Sequence, residues 1–193
     1  MHLTLGHGGV SGVEGGSALV GLSVLQRIAR VASVSDRPPI TTSGEATQGI
    51  LSQDSLRSAL RSINADDLYE PAAGQISGLT PFSFAVGTLP VIYDQHVAVT
   101  ILVGHFGSEV VLITDAAERN GNLTLGGSDS LPAQAVLYAT AQEPLIGEEL
   151  YAAGAYLQAG SMHLASLRTQ DIFRWILAGV ILAGALLKLA GVL

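Results

Sequence analysis

Residues 96–103 read HVAVTILV, and the six residues after them, Gly104 to Glu109, read GHFGSE. The first stretch is rich in β-branched side chains and apolar at successive positions. A strand formed here is buried on both faces, as in a parallel sheet covered by helices. The glycine-bearing loop that follows closes the strand. Outward from this point the chain alternates short apolar strands with longer helices. Leu3 to Leu5, Ile40 to Thr42 and Leu123 to Leu125 read as further strands. Ser11-Gly12-Val13-Glu14 has the form of a capping box opening a helix to about Ser33, with Ala18, Leu19, Leu22, Leu25, Ile28, Ala29 and Ala32 covering most of its faces. Arg37-Pro38-Pro39 stops it. Thr42-Ser43-Gly44-Glu45 is a second box, followed by a helical face of Leu56, Ala59, Leu60 and Ile63. Thr80-Pro81 and Ser130 with Pro132 start two more helices. Ile146, Leu150, Ala153, Gly154 and Leu157 mark an amphipathic helix after Pro144. Asn64 to Glu70 is an acidic connection, Asn120-Gly121-Asn122 a turn, and Gly126-Gly127 a break. Glu109 to Thr114 suits helix or strand. Strands separated by helices of this length imply right-handed crossovers. The expected fold is a single three-layer α/β domain over residues 1–160, Rossmann-like and mainly parallel, with about four to six strands.

The chain has 193 residues, no cysteine, 9 basic and 16 acidic residues, and a formal charge of -7. Without cysteine there is no disulfide scaffold, thiolate zinc site, iron–sulfur cluster or cysteine nucleophile. The acidic balance argues against nucleic acid as a partner. The single lysine, Lys188, lies at the far end of the chain, which removes a Walker phosphate loop and Schiff-base chemistry from the body of the protein. Aromatics are 5%, too few for a base-stacking platform.

From Ile172 to Leu193 the chain reads IFRWILAGVILAGALLKLAGVL, with Arg174 and Lys188 as its charges. As a helix these residues reach about 33 Å, enough to cross a bilayer core of about 30 Å. Arg174 and Lys188 stand near opposite ends, where they snorkel to headgroups, and Trp175 suits the interfacial belt. The expectation is a transmembrane helix over 172–193 after a linker at 161–171. Gly179 and Ala183, and Gly184 and Gly191, form small-residue pairs for helix association in lipid. The first five residues lack a basic stretch and a long apolar run, so no signal peptide is read there. The expected address is the cell membrane, single-pass, with the α/β domain cytoplasmic. Arg168 and Arg174 on the domain side against Lys188 agree with that orientation. Residues 1–171 keep 7 of the 9 basic residues and all 16 acidic ones, a charge of -9. That leaves 23 charges in 171 residues, a sparse surface of the kind neighbours cover.

Leu145 to Leu157 reads LIGEELYAAGAYL, and Leu167-Arg168-Thr169-Gln170-Asp171 precedes the apolar tail. This resembles an uncharacterised family of bacterial and archaeal membrane proteins. There an α/β domain ends in a similar IGEELYAA helix, followed by a short linker with a Gln-Asp pair and a membrane segment. The resemblance runs more loosely back through Gly104 to Asn120 and Leu123 to Asp129. It implies a membrane-bound α/β protein with Glu109 to Thr114 helical. It brings no assigned activity and so no catalytic residue. Members often carry a hydrophobic segment before the domain, whereas this chain begins almost at its first strand.

Gly6-His7-Gly8-Gly9-Val10-Ser11-Gly12 lies between a strand and a helix. Glycines there let a phosphate approach the backbone and the helix N-terminus. The pattern is G-x-G-x-x-S rather than the full dinucleotide fingerprint, and Asp36 stands at about the distance of a ribose ligand. A tight turn accounts for the same glycines. In a doubly wound sheet Gly104 and His105 share an edge with Gly6 to Gly9, and His7 and His105 then face one crevice. Ser11, Ser43 and Ser108 read as caps, since no G-x-S-x-G elbow exists. Glu148 and Glu149 are explained by the helix dipole. His163 belongs to the linker, and His2 and His96 have no partner in the sequence. No metal site, catalytic residue or cofactor is expected. The leading expectation is a non-enzymatic, membrane-anchored scaffold or assembly protein forming a homo-oligomer, with the bilayer as its other partner. The alternative is a tethered nucleotide- or anion-binding, or enzymatic, domain using the Gly6–Gly12 loop. A third reading is an accessory subunit of another membrane protein.

Overall fold

His2–Gly6 forms β1, a strand whose five residues are all buried. It is flanked on both sides by parallel neighbours, which explains why no polar edge is left. The computed structural model describes residues 1–32, 38–157 and 161–190. β1 pairs with β2 (Ile40–Ser43) and with β4 (Val99–His105). β3 (Gly74–Ile76), β5 (Leu123–Ser128) and β6 (Glu143–Leu145) complete a six-stranded, all-parallel sheet in the order β3-β2-β1-β4-β5-β6. The chain winds outward from β1 to β3, crosses back to β4, and winds outward the other way. This is a doubly wound, Rossmann-like α/β fold whose direction reverses between β1 and β4.

α1 (Gly15–Ala32) packs on α2 (Ala46–Arg61) in one helical layer. α3 (Pro81–Asp94), α4 (Val110–Arg119) and α5 (Leu131–Thr140) pack side by side in another. Phe84, Ile92, Leu102, Phe106, Ile113 and Leu137 form the core beneath that second layer, each fully buried. α6 (Glu149–Tyr156) follows β6, and α7 (Ser161–Leu189) follows α6.

Several elements depart from the expectations. α1 starts at Gly15, so Ser11 caps nothing; Ser17 Oγ instead donates to the Glu14 carbonyl at 2.8 Å. Ser33 lies outside the described residues. Leu19 is exposed, so α1 is buried on one side rather than all round. In the second box Thr42 and Ser43 belong to β2, and Glu45 is itself the cap of α2, accepting from the Gln48 amide at 2.9 Å. Thr80 does cap α3, and Ser83 completes the box. Glu109 precedes α4, which settles the 109–114 stretch as helical from Val110. Gly126-Gly127 is no break: β5 runs through it. A Cβ on Gly126 would stand 2.6 Å from Leu137 Cδ2, so the glycine lets α5 sit close against the sheet. β3 and β6 were missed because each is three residues long with polar or proline content.

The chain divides into two compact units, Met1–Ala153 and Gly154–Leu193. In the second, the 161–171 segment expected as a linker is helical and continuous with the apolar stretch. Within α7, the 23-residue stretch Leu167–Leu189 contains an 18-residue window of mean hydropathy 1.9 and is long and apolar enough to cross a membrane. Arg174, Trp175, Gly179, Ala183, Gly184 and Lys188 lie on it, and a Cβ at Gly179 or Gly184 would meet open space. Gly191 lies outside the described residues.

His2 supplies a test of the core. Its Nε2 bonds Thr42 Oγ1 at 2.9 Å, and Nδ1 is buried without a partner. Burial, with a smaller contribution from the chain terminus, pushes its pKa down from 6.5 to about 3. The folded state therefore holds His2 neutral while the unfolded state binds a proton between those values. The stability due to His2 is complete above pH 6.5 and falls toward pH 3, by about 1.4 kcal/mol per pH unit for one proton. A His2→Asn variant should lose Tm less steeply with acid over this range; an unchanged slope would show that His2 is not held neutral.

Candidate functional site at the sheet reversal

β1 and β4 end side by side. Gly6 has φ 76, and a Cβ there would collide with the His105 carbonyl. Gly104 has φ 153, and a Cβ there would collide with the Leu5 carbonyl. Both glycines exist because two backbones touch. The His7 amide donates to the His105 carbonyl at 3.0 Å, and the Gly44 amide to the Gly6 carbonyl at 2.8 Å. The strand ends of β1, β2 and β4 are thereby locked together.

His7 and His105 are brought into one crevice, with rings 5.4 Å apart and at 88°. Each imidazole is held by a carboxylate. His7 Nε2 bonds Glu109 Oε1 at 2.9 Å, and the same oxygen accepts the Gly107 amide at 2.7 Å. Glu109 is only 4% exposed. His105 Nδ1 bonds Asp129 Oδ1 at 2.7 Å, leaving Nε2 on the other side of the ring. Phe84 stands edge-on to His7 at 6.2 Å. Asp129 follows β5, so three strand ends contribute.

The glycine loop turns out longer than a dinucleotide turn, since eight residues separate Gly6 from Gly15. A Cβ on Gly8 would stand 2.5 Å from His105 Cβ, and one on Gly12 would stand 2.7 Å from Glu14 Oε2. A Cβ on Gly9 meets nothing within 4 Å. Gly8 is thus set by packing, while Gly9 borders open space. Gln48, fully buried, donates from Nε2 to the Gly8 carbonyl at 2.7 Å, and its Oε1 has no partner. Burial alone would raise the Glu45 pKa; the Thr47 and Gln48 amides and the Thr47 hydroxyl outweigh it and lower it. Asp36 lies outside the described residues.

The IGEELYAA stretch reaches the same crevice. Leu150 packs 3.2 Å from the Cβ position of Gly127, and the Tyr151 ring lies 3.5 Å from that of Gly16 at the start of α1. Burial first, and the Asp129 charge second, raise the Tyr151 pKa. Sequence reasoning placed His7 and His105 together but singled out none of Asp129, Gln48 and Tyr151. Asp129 was hidden by reading Gly126-Gly127 as a break, and Tyr151 by reading the motif as a helix face alone.

The loops that leave the strands at this edge carry Glu14, Glu45, Glu109, Asp129 and Glu148, and neither lysine nor arginine. Among the described residues no group of three or more His, Asp or Glu is placed to hold a metal, and no serine bonds either imidazole. At the opposite edge a cleft of about 440 Å³ is lined by Met1, Ile40, Gln75, Asp94, Gln95 and His96. It collects strand beginnings, away from the carboxylate-held imidazoles.

Glu109→Ala would leave both His7 and the Gly107 amide without an acceptor, at about 1–3 kcal/mol. Its Tm should fall by several degrees, at about 2–4 °C per kcal/mol for a chain of this size. Asp129→Asn, part-exposed, should stay within about 1 kcal/mol of the parent. Thermal denaturation of the two variants in detergent checks this ordering.

Residues 5–193 match a family model described as a domain of unknown function, DUF6754. No match was found among curated proteins or among solved structures.

Proposed function

The chain belongs to the DUF6754 family, and from that membership and the site's geometry we propose that its α/β domain is a membrane-anchored binding module for a small hydroxyl-bearing ligand. The carrying observation is the pair of carboxylate-held imidazoles at the sheet reversal, the position at which open α/β sheets bind ligands. A nearly buried carboxylate is costly to keep, and one that holds an imidazole in a crevice, as Glu109 does, is a candidate for function as well as for stability. Gly9 gives a ligand access to backbone, and the orphan Gln48 oxygen adds an acceptor near the loop.

The ligand's chemistry follows from charge. Five carboxylates and no lysine or arginine at this edge oppose a free polyphosphate, which the Gly6–Gly12 loop by itself would suggest. Carboxylates and imidazoles instead read hydroxyls, as acidic side chains read ribose. Nucleosides and sugars are therefore the class favoured over nucleotides or simple anions. The Gly6, His7, Gly8, Gly9, Gly12, Gly104 and His105 set remains the binding set of this proposal, joined by Glu109, Asp129 and Tyr151.

The anchor is α7, with Arg174, Trp175 and Lys188 at its interfaces and Gly179, Ala183 and Gly184 available for helix association. A cell-membrane location with a cytoplasmic domain, in the bacterial and archaeal setting that the IGEELYAA resemblance implies, completes the reading. A scaffold role in a homo-oligomer is a second reading, favoured by the exposed apolar side chains of α3 and α5.

Gly9→Leu should leave the Tm of the ligand-free protein unchanged, since nothing lies within 4 Å of its Cβ. A nucleoside and sugar panel should raise the Tm of the parent chain and not of this variant. A shift with ATP or inorganic phosphate and none with the panel would favour the anion alternative instead.

A further inference from the structure

We propose that the outer face of the α3–α4–α5 layer is where a second copy of this chain docks. α3 carries one charged residue, Asp94, at its last position; α5 carries none; α4 carries Asp115, Glu118 and Arg119 in its second half. The opposite layer differs, with Arg27, Arg30, Asp54, Arg57 and Arg61 on α1 and α2. Large apolar side chains point outward from the uncharged part of the face: Leu79 is 75% exposed just before α3, Phe82 65%, Leu131 77% and Tyr138 75%. Val86 and Val111 lie exposed among them. The helices neighbour one another in the order α3, α4, α5, and each follows the C-terminal end of a strand or its loop, so their first turns share an edge.

The occupant follows from charge and size. A two-fold contact sets a patch against itself, so it works where the patch carries no net charge of its own. Residues 1–171 carry -9 in total, so two such domains repel at long range, and an uncharged face adds nothing to that repulsion at contact. A bilayer surface is a poorer match. Faces that lie on lipid present lysine and arginine to headgroups, whereas the one cation here, Arg119, is bonded to Asp115 at 2.8 Å. Helices of 14, 10 and 10 residues, about 10 Å apart, give a face of about 15–20 Å by 30 Å, the larger part of the roughly 800 Å² per partner of a stable interface, and the exposed Leu79 before α3 extends it. Charges at the C-terminal ends of α3 and α4 supply the polar rim. The inference is independent of any ligand in the crevice. It draws on α7 only as the anchor that holds copies in one plane.

The chain has no cysteine, so single cysteines report without background. Full-length Val86→Cys and Tyr138→Cys, in mild detergent with a short bismaleimide, should become covalent dimers at micromolar concentration. Ile50→Cys, exposed on α2, should stay monomeric. Phe82→Glu with Val86→Glu should weaken the dimer about tenfold or more in light scattering, with an unchanged circular dichroism spectrum. Equal cross-linking at Ile50→Cys, or a monomer at Val86→Cys, overturns the proposal. So does protection of Val86→Cys by lipid vesicles without dimer formation. The ligand-induced Tm shift of the parent chain is read separately, so the two readings fail independently.

Discussion

The contact on which this protein depends is the touching of two backbones where β1 and β4 end. Gly6 approaches the His105 carbonyl and Gly104 approaches the Leu5 carbonyl, each in a conformation that side chains avoid. No wider separation would let the His7 amide reach the His105 carbonyl. The residue after each glycine stands at the end of its strand, His105 as the last residue of β4 and His7 just past β1. Both of those residues are histidines. The crevice is thus a consequence of strand packing at the reversal, and its imidazoles are fixed by the same glycines that fix the fold.

The carboxylates divide the labour. Glu109 ties His7 to the loop that starts α4, accepting from both the imidazole and the Gly107 amide. That role is structural as well as electrostatic, since one nearly buried oxygen holds both the imidazole and the loop amide. Asp129 sits farther out and orients His105 through Nδ1. A ring held at one nitrogen presents the other in a fixed direction, the arrangement general in sites that bind or move protons. One imidazole is locked inward and its neighbour is steered outward.

How much of this was legible depends on which signal each element used. The doubly wound α/β class was readable because β4 is long and β-branched, and the helices are long enough to show a period. The meeting of His7 and His105 followed from topology, since both come after glycines at the same sheet edge. β3 and β6 were not legible, as three-residue strands with exposed positions carry no alternation. Gly126-Gly127 misled because a glycine pair signals a turn locally, while here α5 and α6 demand the space. The capping boxes at Ser11 and Thr42 misled for a related reason: the box names residue types, and tertiary pairing decides whether they reach a helix. Asp129 and Tyr151 entered the crevice from parts of the chain far from either histidine, which no local pattern encodes. The sparse charge that stood out in composition resolves into a distribution: acids at the crevice edge, arginines on α1 and α2, and a face of α3 and α5 with almost none.

The central claim is that the carboxylate-held imidazoles receive a ligand. Histidine imidazole resonances of the full-length, isotope-labelled protein report on it directly, since each ring is its own probe. Titration with the nucleoside or sugar that raises the Tm should move the His7 and His105 signals together and leave that of buried His2 unchanged. Movement of His96, at the opposite cleft, with His7 and His105 silent would contradict the account.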